Sequence, residues 1–294
     1  MEPASIVVLT HNRREVLGKT LAAMLRLDYM PGYEIIVVND GSSDGTEQLL
    51  RKFKGQMRLR IINQARQGPC RARNNGIRAA RHPIIAIMDD DCIPTHAWLK
   101  DLAAGFTTSD IGMVSSFSRH GGTSTAFRKT ALQKAGLYDE QYFYYREDTD
   151  LVFRLLDAGY HVKMVRAKYV HDHKLEAPKT IGGLLRHALE RLAYHKNDVL
   201  LYKKHPKRAV SFLDIKLGFI VNPARDFGAA TGGWSKWAYR SWEPMRLSSP
   251  RGIVYFEASK PYHLALIFLA GVFYVLAVKT VRLAASLKFG KLLL

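Results

Sequence analysis

Short apolar runs alternate with amphipathic segments through the first third of the chain. The strands predicted from these runs are SIVVLT (5–10), YEIIVVND (33–40), LRIINQ (59–64) and IIAIM (84–88). After the first run, Val16, Leu17, Leu21 and Met24 recur at the spacing of one helical face. Strands that alternate with helices through short connections are typical of a parallel sheet covered by helices. We therefore predict an α/β fold with a mostly parallel, Rossmann-like sheet.

Polar residues follow several of these predicted strands, and ligands of parallel α/β sheets bind beyond the carboxyl ends of the strands. Thr10 to Asn12, Asn39 to Gly41 and Asp89 to Asp91 all lie at such ends. Three adjacent carboxylates repel one another and need a cation, a helix N-terminus or water. Taken alone, IIAIMDDDCIP (84–94) fits a solvated turn as well as a metal site. The convergence of three strand ends favours a ligand site.

The middle of the chain continues the same pattern. DIGMVSSFS (110–118) predicts a strand, and GGTSTAFRKTALQKAGLYDE (121–140) predicts a turn, a short strand and a helix that ends at Gly136. EDTDLVFRLLDAGY (147–160) predicts an amphipathic helix whose acids lie in the first turn, where the helix dipole favours them. HVKMVRAKYVHDH (161–173) predicts one strand that ends in two histidines.

The charge of the chain indicates a polyanionic partner. Lys and Arg number 44 against 26 Asp and Glu, a formal net charge of +18. Nucleic acid, an anionic membrane surface and phosphorylated substrates all fit such a balance. Hydrophobic residues make up 47% of the chain, which excludes a mainly disordered protein. The two cysteines give no disulfide framework, and the start of the sequence lacks the features of a signal peptide.

The character of the sequence changes near residue 178. IGGLLRHALERLAYHKNDVLLYKKHPKR (181–208) predicts one long basic amphipathic helix, and LALIFLAGVFYVLAV (264–278) is uncharged and apolar. The apolar segment falls short of the roughly 20 residues of an upright membrane span. A buried core helix and a membrane-associating helix both fit it, and its basic flanks favour an anionic membrane surface. We predict domains over 1–178 and 179–294, the second basic, helical and membrane-associated.

The motifs SIVVLTHNR, EIIVVNDGSSDGT, GPCRARNNGI, IIAIMDDDCIP and YYREDTDLVFRLLDAGY, in this order, resemble those of family 2 glycosyltransferases of GT-A fold. The resemblance covers residues 5 to about 173. It implies that residues 1–178 form a catalytic domain with nucleotide-sugar and acceptor halves. The implied reaction is an inverting transfer from a nucleotide-sugar, with a UDP-sugar expected, to a hydroxyl of a glycan or lipid-linked acceptor.

The resemblance implies a divalent metal site of Mn²⁺ or Mg²⁺ at the acidic strand end. Asp91 is the expected direct ligand, Asp89 meets the metal's water shell or the ribose, and Asp90 is structural or peripheral. His171 completes the expected set, with His173 as its competitor. Carboxylate oxygens suit these ions, and a bound ion stabilises a departing diphosphate.

The resemblance also implies nucleotide-binding and catalytic residues. Those expected at the nucleotide are Thr10, Asn12, Arg13, Asp40, Arg73 and Asp89. Asp40 is expected to accept a hydrogen bond from the nucleobase, and Arg71 matches the family pattern less well than Arg73. Asp148 is the expected base that takes the proton of the acceptor hydroxyl, and Glu147 orients the base or the acceptor. Acidity that only stabilises the helix N-terminus is the structural alternative.

Two other functions fit parts of the sequence. A polyprenyl-phosphate sugar synthase would use the C-terminal apolar segment as a lipid dock, although an ionised phosphate acceptor needs no base. A non-catalytic nucleic-acid-binding protein is suggested by the net charge and by GGWSKWAYRSW (232–242). The acidic triplet would repel phosphates, so no nucleic-acid partner is expected. No Q-x-x-R-W run follows the acidic helix, which argues against a processive synthase. We expect the protein at the cytoplasmic face of the cell membrane, as a peripheral, monotopic or short-spanning protein.

Overall fold

The computed structural model describes residues 1–55, 59–172, 180–231, 245–249, 252–256 and 261–294. The chain divides into two compact units, residues 1–172 and 173–294. The predicted boundary at residue 178 lies outside the described residues.

The first unit is an α/β domain. Its elements are β1 (Ala4–Thr10), α1 (Arg14–Met24), β2 (Tyr33–Asp40), α2 (Thr46–Lys54), β3 (Leu59–Gln64), α3 (Pro69–Ala79), β4 (Ile84–Asp89), β5 (Cys92–Pro94), α4 (Trp98–Ala103), β6 (Ile111–Ser115), β7 (Thr125–Arg128), α5 (Lys129–Ala135), α6 (Glu147–Asp157), β8 (His161–Met164) and β9 (Tyr169–His171). The helix predicted to end at Gly136 does so, with Gly136 in the left-handed region at φ 87°.

The main sheet has seven strands in the order β3-β2-β1-β4-β7-β6-β8. The strands β3, β2, β1 and β4 are mutually parallel, and β7 is antiparallel to both of its neighbours. Ile6, Val7 and Val8 are at most 1% exposed. Successive strand residues point to opposite faces, so both faces of β1 are covered and its apolar run is continuous rather than alternating. The predicted mostly parallel sheet is confirmed.

The prediction of one strand over 161–173 is wrong. The strand β8 joins the main sheet beside β6, whereas β9 pairs antiparallel with β5, opposite Cys92. Between them Val165 packs against the core and Ala167 is buried in it, which carries the chain from one sheet to the other. The pairing of β5 with β9 fixes His171 next to the acidic strand end.

Helix α3 lies unusually close to the sheet at Gly76. A Cβ atom at Gly76 would lie 2.4 Å from Cγ1 of Val7 and 3.2 Å from Cγ2 of Val38. Only a residue without a side chain permits this approach. The contact sets the depth of α3 on β1, and α3 carries the buried side chain of Arg73.

The second unit is mainly helical. Its described elements are α7 (Ile181–Tyr194), α8 (Lys196–Lys204), α9 (Pro206–Leu213), β10 (Ile215–Lys216), β11 (Ile220–Val221), α10 (Pro223–Thr231), β12 (Met245–Ser249), β13 (Gly252–Phe256) and α11 (Pro261–Phe289). The prediction of one helix over 181–208 is wrong, because the segment forms three helices. His195 separates α7 from α8, and Pro206 starts α9, where its missing N–H costs no helical hydrogen bond. The segment GGWSKWAYRSW lies outside the described residues.

The C-terminal apolar segment is part of a longer helix than expected. Helix α11 runs through Lys279 and Arg282 to Phe289. By length and composition alone, Ala265–Phe289, of 25 residues and mean hydropathy 1.9, is the one described helix that is long and apolar enough to cross a membrane. The predicted apolar segment 264–278 is therefore only part of a helix of spanning length, and whether that helix crosses a membrane stays a prediction.

Helix α11 has two different faces. One face packs within the second unit and buries Val275, Val278, Arg282 and Ala285. The other face exposes apolar side chains, namely Leu266, Leu269, Val272, Phe273, Leu276, Leu283 and Leu287. Arg282 is one of the cations that flank the apolar segment in the sequence, but its side chain is 1% exposed and bonded to Asp198 and Asp226. It therefore does not contribute to a basic surface.

Candidate active site

The candidate site forms where the parallel strands of the first unit end. In the sheet, Thr10 pairs with Asn39 and Leu9 pairs with Asp89, so β1, β2 and β4 end at the same edge. Polar residues that are far apart in the sequence thereby meet at one edge.

A cluster of potential metal ligands lies beyond β4. Asp89, Asp91, Cys92 and His171 each offer one ligand atom, and these atoms lie within 4.8 Å of one another. Nε2 of His171 is 3.0 Å from Oδ1 of Asp91. Burial raises the pKa of the Cys92 thiol, which disfavours the thiolate that soft metals prefer. Two carboxylates and an imidazole remain, a donor set that fits Mn²⁺ and, with water added, Mg²⁺.

Asp90, the middle acid, ties the acidic triplet to the first strand. Oγ1 of Thr10 donates to Oδ2 of Asp90 at 2.7 Å, and Nη1 of Arg13 lies 2.9 Å from its Oδ1. Nη2 of Arg13 lies 3.0 Å from Oδ2 of Asp91. Burial raises the pKa of Asp90 to about 7, although the Arg13 charge lowers it. Thr10 is fully buried, so here its hydroxyl supports Asp90 and faces no open space.

Asp40 lies at the end of β2 and is 4% exposed. Its Oδ1 accepts from Nε2 of Gln64 and the backbone N–H of Gln67, both at 2.8 Å, and its Oδ2 accepts from the N–H of Gly68 at 2.9 Å. A carboxylate offers about four acceptor positions, so Oδ2 keeps one for another donor.

Asn12 shapes the loop beside Asp40. It is exposed and has a positive φ of 52°. Its N–H donates to Oγ of Ser42 at 3.0 Å, and its Oδ1 accepts from the N–H of Ser43 at 2.7 Å. These bonds join the loops that follow β1 and β2.

Glu147 and Asp148 begin α6. Arg146 precedes them in the left-handed region at φ 77°, and the acids occupy the first turn. The backbone N–H of Gly122 donates to the Asp148 carboxylate. Burial raises the pKa of Asp148, and burial together with the Asp148 charge raises that of Glu147 to about 7.

Arg73 joins the metal-ligand cluster to this acid pair. Its side chain is 7% exposed, with Nη1 3.3 Å from Oε1 of Glu147 and Nη2 3.7 Å from Oδ1 of Asp89. Its guanidinium lies 5.3 Å from the centre of the Tyr138 ring. Within the described part of the chain, Nε of Arg73 is buried without a hydrogen-bond partner. Arg71, by contrast, is half exposed and pairs with Glu140 at 2.7 Å.

The structure thus gathers most of the predicted residues. Those in one connected acidic cluster are Thr10, Arg13, Asp89, Asp91, His171, Arg73, Glu147 and Asp148. Asp40 and Asn12 lie at the neighbouring strand end, and His173 lies outside the described residues. Sequence reasoning missed the pairing of Arg73 with Glu147 and the contact with Tyr138, for which the local sequence carries no signal.

The mostly parallel sheet with its acidic strand end has the architecture of the GT-A fold. The sequence profile of glycosyl transferase family 2 matches residues 5–173, more than half of the chain. The chain belongs to this family, and the predicted family is confirmed.

Relatives and solved structures support the same assignment. The chondroitin synthase of Escherichia coli is 36% identical over 98 residues, which are 33% of this chain and 14% of that protein. This chain therefore matches only a small part of that relative. The mannosyltransferase PcManGT from Pyrobaculum calidifontis, solved with GDP-Man and Mn²⁺, superposes with a TM-score of 0.53 at 18% identity, covering 99% of this chain and 76% of that one. S. aureus TarS 1–349, solved with UDP-GlcNAc, gives 0.52 at 16% identity, covering 98% and 92%. At these identities the structures show the shared fold.

Proposed function

We propose that the protein is an inverting, metal-dependent glycosyltransferase that moves a sugar from a nucleotide-sugar to a hydroxyl of a glycan or lipid-linked acceptor. The observation that carries the proposal is the connected cluster in which Arg73 joins Asp89, beside the other metal ligands, to Glu147 and Asp148. The metal ligands around Asp89 would serve the diphosphate of the donor. The acid pair Glu147 and Asp148 would serve the hydroxyl of the acceptor.

Asp89, Asp91 and His171 would hold the divalent ion. Such an ion would supply positive charge that stabilises the leaving diphosphate. Arg13 already holds Asp91 by an ion pair, so this carboxylate is oriented before a ligand arrives.

Asp148 is the proposed base. It must be ionised to take the acceptor proton, and the N–H of Gly122 and the charge of Arg73 both favour its ionised form against burial. Glu147, bonded to Arg73, would position the acid pair.

Asp40 supports nucleotide recognition through the remaining acceptor position of its Oδ2. That position suits the N3–H of uracil, so we propose a UDP-sugar as the donor. The N1–H of guanine is chemically similar, which makes a GDP-sugar the alternative. The solved GT-A structures contain both kinds of donor, GDP-Man in one and UDP-GlcNAc in the other. UDP and GDP are therefore compared directly in the test.

The second unit is proposed to bring the enzyme to the cytoplasmic face of an anionic membrane. The exposed apolar face of α11 supports this, because lipid would cover it. On the opposite face of α11, Arg282 pairs with Asp198 and Asp226. If α11 crossed the bilayer, these two carboxylates would be drawn into the membrane with it, which is costly. An in-plane, monotopic arrangement avoids that cost.

A pair of variants tests the proposed reaction. Asp91→Asn should abolish Mn²⁺-dependent binding of UDP or GDP, because it removes a ligand charge without changing shape. Asp148→Asn should keep that binding but lower transfer by ~10²-fold or more, the usual scale for a lost general base. Isothermal titration and a transfer assay measure the two effects.

Asp28→Asn is the matched control, since Asp28 is an exposed acid paired only loosely with Lys100, at 3.6 Å. Unaltered metal-dependent nucleotide binding in Asp91→Asn would contradict the metal assignment. Near-normal transfer by Asp148→Asn would show that Asp148 is not the base. It would favour the alternative in which the acceptor is a lipid phosphate, which needs no base.

A further inference from the structure

Phe117 is exposed although its loop is held firmly. It lies between β6 and β7 and is 56% exposed. Oγ of Ser115 accepts from the N–H of Phe117 at 3.1 Å and from that of Ser118 at 3.2 Å. Across the loop, the N–H of Ser116 donates to the carbonyl of Ser124 at 3.1 Å. The exposure of the ring is therefore a property of a fixed backbone and does not come from a loose loop.

The Phe117 ring lies against Gly122, next to the proposed base. A Cβ atom at Gly122 would be 2.7 and 2.9 Å from Cδ1 and Cε1 of the ring, and its φ of +112° also favours glycine. The N–H of Gly122 donates to Asp148. A Cβ atom at the adjacent Gly121 would lie 3.0 Å from Cβ of Asp148. Two residues without side chains thus separate an exposed aromatic ring from a carboxylate.

A sugar ring can contact both the exposed ring of Phe117 and the carboxylate of Asp148. A pyranose has an apolar face of C–H groups and an edge of hydroxyls, and binding sites for such molecules combine aromatic walls with a few placed polar groups. We propose that Phe117 is the platform on which a sugar ring of the acceptor stacks, so that one of its hydroxyls reaches Asp148. The inference rests on the proposed function, since it requires Asp148 to be the base.

This inference restricts the chemical class of the acceptor. A pyranose unit, as in a glycan, a glycoside or a lipid-linked sugar, uses both the ring and the carboxylate. A lipid phosphate without a sugar uses neither, because it has no hydroxyl to deprotonate and presents charge to an acidic site. Phe117 then determines affinity for the acceptor and has no part in holding the donor.

The chain supplies a matched control in Phe143. This second phenylalanine is 55% exposed and also lies against a glycine of positive φ, Gly68, whose Cβ would be 2.8 Å from the ring. The N–H of Gly68, however, donates to Asp40, at the nucleotide end of the site. The two rings have similar exposure and setting but border different ends.

The test uses the full chain with Mn²⁺ and UDP, or GDP if that nucleotide binds. Methyl β-glycosides of glucose, galactose and N-acetylglucosamine are the probes. Saturation-transfer NMR should show contact of a glycoside's C–H groups with the wild-type protein, and Phe117→Ala should abolish it. In transfer assays, Phe117→Ala should raise the acceptor KM about tenfold, and Phe117→Tyr should restore it. Phe143→Ala should leave the acceptor KM unchanged.

The outcomes separate this inference from the proposed function. Nucleotide binding by Phe117→Ala equal to wild type shows that the variant is folded. An acceptor KM unchanged by Phe117→Ala would overturn the inference, as would wild-type transfer to a polyprenyl phosphate with no glycoside contact. Failure of the wild type to bind either nucleotide with Mn²⁺ would instead overturn the proposed function itself.

Discussion

Each unit of the molecule contains a buried arginine that faces carboxylates, and the two arginines differ in how completely their guanidinium nitrogens are bonded. In the first unit, Arg73 faces Asp89, Glu147 and Asp148, and its buried Nε has no partner within the described residues. In the second unit, Arg282 faces two carboxylates and uses all of its nitrogens. Nε and Nη2 of Arg282 donate to Asp198 at 3.2 and 2.8 Å, while Nη1 and Nη2 bond to Asp226.

The difference distinguishes a site from a structural connection. Three acids face the single guanidinium of Arg73, and one of them, Asp89, is one-third exposed, so this acidic group reaches the edge of the site. Excess buried charge is unfavourable for folding and is found mostly where chemistry needs it. Around Arg282 every guanidinium nitrogen is bonded to a carboxylate. Nδ1 of His195 also lies 2.9 Å from Asp198. This second cluster connects α11 to α8 and α10 and needs no ligand.

The largest effect is expected from Arg282→Ala. It leaves Asp198 and Asp226 buried without their cation, a change that typically costs about 3–5 kcal/mol of stability. Hydrogen exchange of peptides from α8, α10 and α11 in the full chain should show loss of protection. Lys288→Ala, which removes an exposed cation of the same helix, is the control.

A triple variant sharpens this prediction. Arg282→Met with Asp198→Leu and Asp226→Leu should recover much of the lost protection, because apolar replacement of a whole buried ion cluster is often tolerated. A triple variant as unstable as Arg282→Ala would show that the cluster does more than connect helices.

A smaller effect is expected from Arg73→Met. Burial raises the pKa of Asp148 and the Arg73 charge lowers it, so removing that charge should raise this pKa further. The base acts in its ionised form, so the acidic limb of kcat/KM should move to higher pH, by about one unit or more. The pH profile of transfer measures this.

Arg71→Met is the matched control, since Arg71 lies on the same helix but is exposed and paired with Glu140. An acidic limb that stays in place in Arg73→Met would show that Arg73 does not act on the base.

The smallest effect concerns the exposed cations of the second unit, which contrast with the buried Arg282. Lys288→Gln should weaken binding to vesicles of anionic phospholipid by about fivefold, from roughly 1 kcal/mol per cation near the surface. Vesicle flotation at low and physiological salt measures this. Lys52→Gln, an exposed lysine of the first unit, should have no effect. A wild-type chain that does not float with the vesicles would contradict the membrane proposal.

The sequence could predict those features that depend on residues close together in the chain. The strand that ends in Asp89 to Asp91 and the helix that starts at Glu147 follow from short patterns, and the structure has both. The mostly parallel character of the sheet also follows, because short connections leave few arrangements, but the antiparallel place of β7 between β4 and β6 was not predicted.

Pairings between distant residues could not be predicted in this way. Arg73 meets Glu147 across 74 positions, and Arg282 meets Asp198 across 84. The sequence alone therefore assigned Arg73 to the nucleotide and left Arg282 among the basic flanks of the apolar segment. His171 was correctly noticed as a strand-end residue, but its approach to Asp91 depends on the β5–β9 pairing, for which the sequence has no marker.

The close contact of Gly76 with Val7 has a consequence for how the active site can evolve. Arg73 lies one turn before Gly76 on α3, so a larger residue at 76 would lift the helix and shift the guanidinium away from Asp89 and Glu147. The change would lie one helical turn away from Arg73, yet it would impair the chemistry. Space for it would have to come from Val7, whose Cγ1 would lie 2.4 Å from the new Cβ atom, whereas Cγ2 of Val38 would lie 3.2 Å away. Among relatives, a methyl group gained at position 76 should therefore be accompanied by one lost at position 7.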